Sequence, residues 1–112
     1  MQTTQHVTTR MPAVAGMFYP LDADELVQLL QRYTQGDAVL SPPKMIIVPH
    51  AGYIYSGAIA GAAYAQLKGS TGIRRVVLLG PSHRVALRGL AVPSVARFAT
   101  PLGEIAIDTG LR

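Results

Sequence analysis

"IIVPHAGYIYSG" (residues 46–57) starts as an apolar run and passes through Pro-His straight into Gly, two Tyr and Ser. "VVLLGPSHR" (residues 76–84) repeats the design. Both runs are continuous and β-branched rather than alternating, which predicts strands covered on both faces, as in a parallel sheet. Between them, "SGAIAGAAYAQLKG" reads as a helix, with Ser56 as a cap, Lys68 in the last turn and Gly69 as the stop. Gly57 and Gly61 stand one turn apart. A glycine inside a helix costs about 1 kcal/mol, so a packing reason is expected, and small residues let a helix lie close on a sheet. Strand, helix and strand in this order make a βαβ unit, right-handed by the usual crossover rule.

Working outward, "LDADELVQLLQRYTQG" predicts a helix capped by Asp22, with Glu25 as capping-box partner and Leu21 and Leu26 as a staple. Leu26, Leu29, Leu30 and Tyr33 recur at helical spacing and form its apolar face. Gly36 suits a left-handed stop. Downstream, "RGLAVPS" and "GEIAID" read as shorter strands, the second half-exposed, with Pro101 and Gly103 marking the turn before it. Residues 1–9 read as a flexible polar tail, with His6 exposed in it, and 10–112 as one α/β unit that stops before its sheet is closed.

Of 112 residues, 49% are hydrophobic and only 14% charged, against about a quarter in an ordinary soluble domain. Much of the surface is therefore expected to be covered by something beyond these residues. Ten Lys and Arg against six Asp and Glu give a net charge of +4. The arginines at 74, 75, 84, 88, 97 and 112 neither form a run nor interleave with aromatics, so they read as a solvated face and not a nucleic-acid surface. Cysteine is absent, which excludes disulfides and thiolate ligands and fits a reducing compartment. No apolar run is long enough for a membrane span, and the N-terminus is a poor secretory signal, so the expected location is cytoplasmic.

In an open α/β sheet, ligands bind beyond the carboxyl ends of the strands. His50 and His83 sit there, each just after a Pro that ends the pairing. Neighbouring strands lie about 4.8 Å apart, so the two imidazoles can converge on one ion at about 2.1 Å. Neutral imidazole suits zinc, copper, iron or nickel, but catalytic sites usually have three protein ligands. The alternative is two loop histidines bonded to backbone. Tyr53 and Tyr55 are packing residues or present a hydroxyl to a substrate oxygen. Ser82 reads as a turn residue before a nucleophile, because "GPSHR" lacks the Gly-x-Ser-x-Gly elbow. Phosphate-binding glycine motifs are absent as well.

Three blocks, "RMPAVAGMFYP" (10–20), "PHAGYIYSGAIAGAAY" (49–64) and "LLGPSHRV" (78–85), with "TPLGEIAID" (100–108) after them, resemble the Memo family, also called AmmeMemoRadiSam system protein B. The resemblance runs over nearly the whole chain from Arg10. It implies a three-layer α/β/α sandwich with a largely parallel or mixed sheet, similar to the catalytic subunit of class III extradiol ring-cleavage dioxygenases. It also implies a pocket holding iron or copper, with His50 and His83 as two of its ligands. The family's third histidine and its cysteine ligand come later in the chain and have no counterpart here. This chain then corresponds to the N-terminal part of a longer domain.

Phe18 stands where some relatives have Trp. In animal relatives that aromatic and the tyrosine matching Tyr55 line a surface implicated in phosphopeptide binding. The resemblance thus implies metal-dependent redox or oxygenase chemistry in the complete domain, with Tyr53, Tyr55, Phe18 and Ser82 facing substrate. The alternatives are a peptide- or ligand-binding module without catalysis, and an inactive piece. The expected partners are a small molecule or peptide, with no nucleic acid or membrane and the oligomeric state open.

Overall fold

The computed structural model of the chain describes residues 8–37 and 39–111. Of the expected tail, residues 1–7, His6 among them, lie outside the described residues, and Thr9 already belongs to a strand. The fold is α/β, with two helices and a small mixed sheet. The strands are β1 (Thr9–Arg10), β2 (Arg97–Thr100) and β3 (Gly103–Ala106), and the helices are α1 (Ala23–Tyr33) and α2 (Tyr53–Ala65). The sheet order is β1-β2-β3, with β1 parallel to β2 and β2 antiparallel to β3. A short 3₁₀ turn spans Thr109–Leu111.

The first helix follows its sequence closely. Asp22 caps it, its carboxylate accepting the Glu25 backbone N–H at 3.0 Å. Leu26 is 3% exposed, and Leu29, Leu30 and Tyr33 are half-buried on the same face. Two local expectations differ. Leu21 remains 66% exposed, so no staple closes over the first turn. The helix ends at Tyr33 with Thr34, not Gly36, as its C-cap. The Thr34 N–H and hydroxyl both donate to the Leu30 carbonyl, which removes the need for a left-handed glycine.

The second helix begins four residues earlier than its sequence predicts, at Tyr53 with Gly52 as N-cap. A glycine cap offers no side-chain acceptor, and the first N–H of the helix is met from elsewhere: Tyr53 N–H donates to the Phe18 carbonyl at 2.8 Å. Ser56, expected as the cap, lies inside the first turn, where its Oγ donates to the Ala51 carbonyl at 3.0 Å. The helix ends at Ala65 with Gln66 as its C-cap, short of the expected stop at Gly69, so Lys68 lies outside its last turn. The turns that follow reach Gly69, which takes a φ of +71°.

Gly57 and Gly61 do have a packing reason, but it is α1 rather than a sheet. A Cβ on Gly61 would stand 2.4 Å from the Tyr33 carbonyl oxygen, and one on Gly57 would stand 2.7 Å from the Tyr33 ring. The helices therefore touch backbone to backbone, and Ala65, 1% exposed, closes the contact beside Gly36.

The largest departure concerns the two apolar runs. Neither 45–48 nor 76–79 forms a strand, and 88–94 does not either. A strand needs a ladder partner and, for a continuous apolar run, cover on both faces. Val76, Val77, Leu78 and Leu79 are 76–80% exposed, so that cover is missing among the described residues. The 45–48 run keeps a period of two in its burial, with Ile46 and Val48 half-buried and Met45 and Ile47 exposed. β3 forms in the expected "GEIAID" stretch after the expected turn, at Pro101 and Leu102, but its antiparallel partner is β2 at Arg97–Thr100, whereas the sequence predicts a strand at 88–94. Thr100 Oγ1 accepts the Leu102 N–H and donates to the Gly103 carbonyl, and Gly103 takes a φ of +129°.

Of the arginines read as a solvated face, Arg75 pairs with Asp108 at 3.0 Å and Arg97 with Glu104 at 3.5 Å. Both pairs are well exposed and contribute little to stability. No helix among the described residues is long and apolar enough to cross a membrane.

Candidate metal centre

Although the two apolar runs lack a ladder, their ends meet. The Nε2 atoms of His50 and His83 are 3.1 Å apart, and the rings sit 5.2 Å between centroids at an interplanar angle of 39°. Each ring follows a Pro-terminated apolar run, as the repeated design implied. Two neutral imidazoles at this distance share one proton, one as donor and the other as acceptor. The separation also fits a shared ion. Nitrogens about 2.1 Å from one ion lie roughly 2.9–3.4 Å apart between right-angled and tetrahedral ligation. Both rings are exposed, and among the described residues no group of three or more His, Cys, Asp or Glu assembles.

Local contacts hold this corner. Ser56 Oγ bonds the carbonyl of Ala51, the residue after His50. Gly16, with φ of +81°, closes the turn of the "AGMFYP" segment, its N–H donating to the Tyr19 carbonyl at 2.7 Å. That turn presents the Phe18 carbonyl to the start of α2. On the other side, Ser82 Oγ donates to the Val85 carbonyl and folds the loop that carries His83.

A hollow of about 800 Å³ opens beside the imidazole pair. Phe18 and Tyr53 line it. Tyr55 and Ser82 do not: Tyr55 is 83% exposed, and Ser82 serves its own loop as a turn residue. Sequence reading missed Tyr19, Tyr33 and Tyr64, which complete the aromatic wall. Tyr33 had been legible only as part of the α1 face, and no local signal marks the other two. Tyr53 also borders a smaller hollow of about 430 Å³ between α1 and the β2–β3 turn. Its ring packs on Tyr19 at 5.5 Å. Burial, and then the neighbouring Tyr19 and Tyr64, raise its phenol above the usual tyrosine range.

A family model, "Memo-like protein", matches residues 10–112, a span that includes both histidine motifs and every wall of the hollow. The chain belongs to the Memo-like family. A MEMO1 family protein of Aquifex aeolicus is 42% identical over 106 residues, covering 92% of this chain and 38% of that protein. One from Pyrobaculum arsenaticum is 36% identical over 111 residues, covering 91% and 40%. Protein MEMO1 of Mus musculus is 38% identical over 106 residues, covering 94% and 35%. The chain thus spans about two fifths of the length of these Memo-like relatives.

Proposed function

We propose that His50 and His83 are two ligands of a metal pocket serving iron- or copper-dependent redox chemistry, of the kind carried by class III extradiol dioxygenases, in a complete Memo-like domain. The observation that supports this most is the 3.1 Å approach of the two Nε2 atoms at the edge of an aromatic-lined hollow. Imidazole nitrogen is a donor suited to both metals. When bound, such an ion would supply activation of dioxygen or of a substrate oxygen. The chain's own contribution is positional. Ser56 fixes the backbone beside His50, the Ser82 turn shapes the loop of His83, and the aromatic wall excludes water from one side of a bound ligand. The Tyr53 hydroxyl, kept protonated by its surroundings, is available to donate to a ligand oxygen.

Titration with Cu(II), followed by electron paramagnetic resonance, tests the reading. Weak binding with hyperfine structure from two imidazole nitrogens is expected, and either His50→Ala or His83→Ala should leave a single-nitrogen signal. A spectrum unchanged by both substitutions would sink it.

A second reading, a peptide- or ligand-binding module without catalysis, draws on the exposed aromatics Phe18 and Tyr55, 46% and 83% exposed. It expects peptide capture that survives loss of both imidazoles.

A further inference from the structure

Four consecutive apolar residues, Val76, Val77, Leu78 and Leu79, stand 76–80% exposed. Such a run on a surface marks a docking site or an aggregation hazard. Among the described residues, the backbone N–H and C=O groups of 76–79 find no hydrogen-bond partner within the chain either. Open backbone groups beside apolar side chains are a template for another strand. The start of the run is held by the Arg75–Asp108 pair at 3.0 Å. Its end is set by Pro81, which has no N–H to extend a ladder. The 45–48 run ends at the same corner, where His50 meets His83, and Val48 shares the wall of the larger hollow with Leu78 and Leu79.

We infer that the run 76–79 pairs with the same run of a second copy of this chain, antiparallel, about a two-fold axis between Val77 and Leu78. The flanking residues select this partner and this direction. Arg74 and Arg75 precede the run, and Gly80 and Pro81 follow it. Parallel pairing would set each Arg75 about 4.8 Å from its counterpart. Antiparallel pairing sets Arg75 against Gly80 of the second copy and Arg74 against Pro81. The two Arg75 then lie about 17 Å apart along the strands, well beyond a screening length of about 8 Å. Val76 faces Leu79 and Val77 faces Leu78, and these apolar cross-strand pairs stabilise the ladder. The stretch is thus complementary to itself in one direction. A two-fold pairing is also closed, so it stops at two chains. With the 45–48 run beside each, the joined edges amount to four strands, and an independently stable sheet needs about three or more. The buried area is small, so the dimer is weak. The inference does not rest on the metal reading.

Sedimentation equilibrium on the whole chain tests it. The mass should rise from one chain to two between roughly 1 and 100 μM, and no further. Val77→Lys changes a residue 80% exposed and outside the hollow's wall. It should leave the circular dichroism unchanged and keep the chain monomeric throughout. The chain has no cysteine, so single-cysteine variants report the register. Val76→Cys and Leu79→Cys, mixed under mild oxidation, should give the mixed disulfide at least about tenfold in excess over either like-with-like product. Opposed residues lie about 5 Å apart, whereas like residues are displaced by about 10 Å, beyond disulfide reach. Should Val77→Lys fail to fold, the cysteine pair decides alone. A monomer at every concentration, a dimer that folded Val77→Lys leaves intact, or like-with-like disulfides as abundant as mixed ones overturns the inference. Growth beyond two chains does so too. A chain that stays monomeric until the remainder of the Aquifex aeolicus relative is added, and then binds it through 76–79, assigns the face to that segment and overturns the inference as well.

Discussion

Replacing Gly61 by alanine sets two magnitudes against each other. In an ordinary helix interior the change stabilises by about 1 kcal/mol through propensity. Here the added Cβ would stand 2.4 Å from the Tyr33 carbonyl oxygen, 2.7 Å from its Cβ and 2.8 Å from its carbonyl carbon. These are mostly backbone atoms of α1, so no rotamer change relieves the overlap, and the helices must part by roughly 1 Å to restore van der Waals separation. Overpacking of this kind costs about 1–3 kcal/mol, and a backbone obstacle belongs at the upper end. The net expectation is a loss of about 2 kcal/mol, close to a 30-fold fall in the folded-to-unfolded ratio. Gly57→Ala is the control. Its nearest atoms, at 2.7–3.1 Å, belong to the Tyr33 ring, which can swing aside, so cost and propensity should nearly cancel. Urea unfolding followed by far-UV circular dichroism measures both. If Gly61→Ala is as stable as the parent chain, or more so, the close helix contact is wrong.

Three further outcomes follow from single contacts. Asp22→Ala removes the acceptor of the Glu25 N–H and should cost about 1 kcal/mol in urea unfolding, most of it restored by Asp22→Asn. Ser56→Ala removes a buried hydrogen bond to the Ala51 carbonyl and should cost about 1 kcal/mol, with a measurable weakening of Cu(II) binding because His50 is next in the chain. The folded-state pKa of Tyr53 is raised, so its contribution to stability is complete below the unfolded tyrosine value of about 10 and is lost as pH climbs through the folded value. Ultraviolet titration should show one late-ionising tyrosine that Tyr53→Phe removes.

How much of this the sequence carried depends on the range of the forces involved. The first helix was legible because its cap and its Leu26, Leu29, Leu30 and Tyr33 face are local features. The meeting of His50 and His83 was legible because two Pro-terminated apolar runs repeat one pattern, and the structure joins their ends. The strands expected from those runs were not realised, because a strand is stabilised by its neighbours and by cover on its faces. Neither is a property of the run itself. The partner of Gly57 and Gly61 was misread for a related reason. Small residues announce a close approach without saying to what, and the answer, Tyr33, lies on another helix. The aromatic wall was missed because Tyr19, Tyr33 and Tyr64 are brought together from three segments by the turn at Gly16 and the α1–α2 contact.

The convergence of the two imidazoles can be observed without any metal. In a chelator-treated sample, nuclear Overhauser spectra with the histidine ring protons assigned should show direct cross-peaks between the His50 and His83 rings, as a centroid separation of 5.2 Å requires. Cross-peaks from each ring only to its own loop, with none between the rings, would contradict the shared pocket.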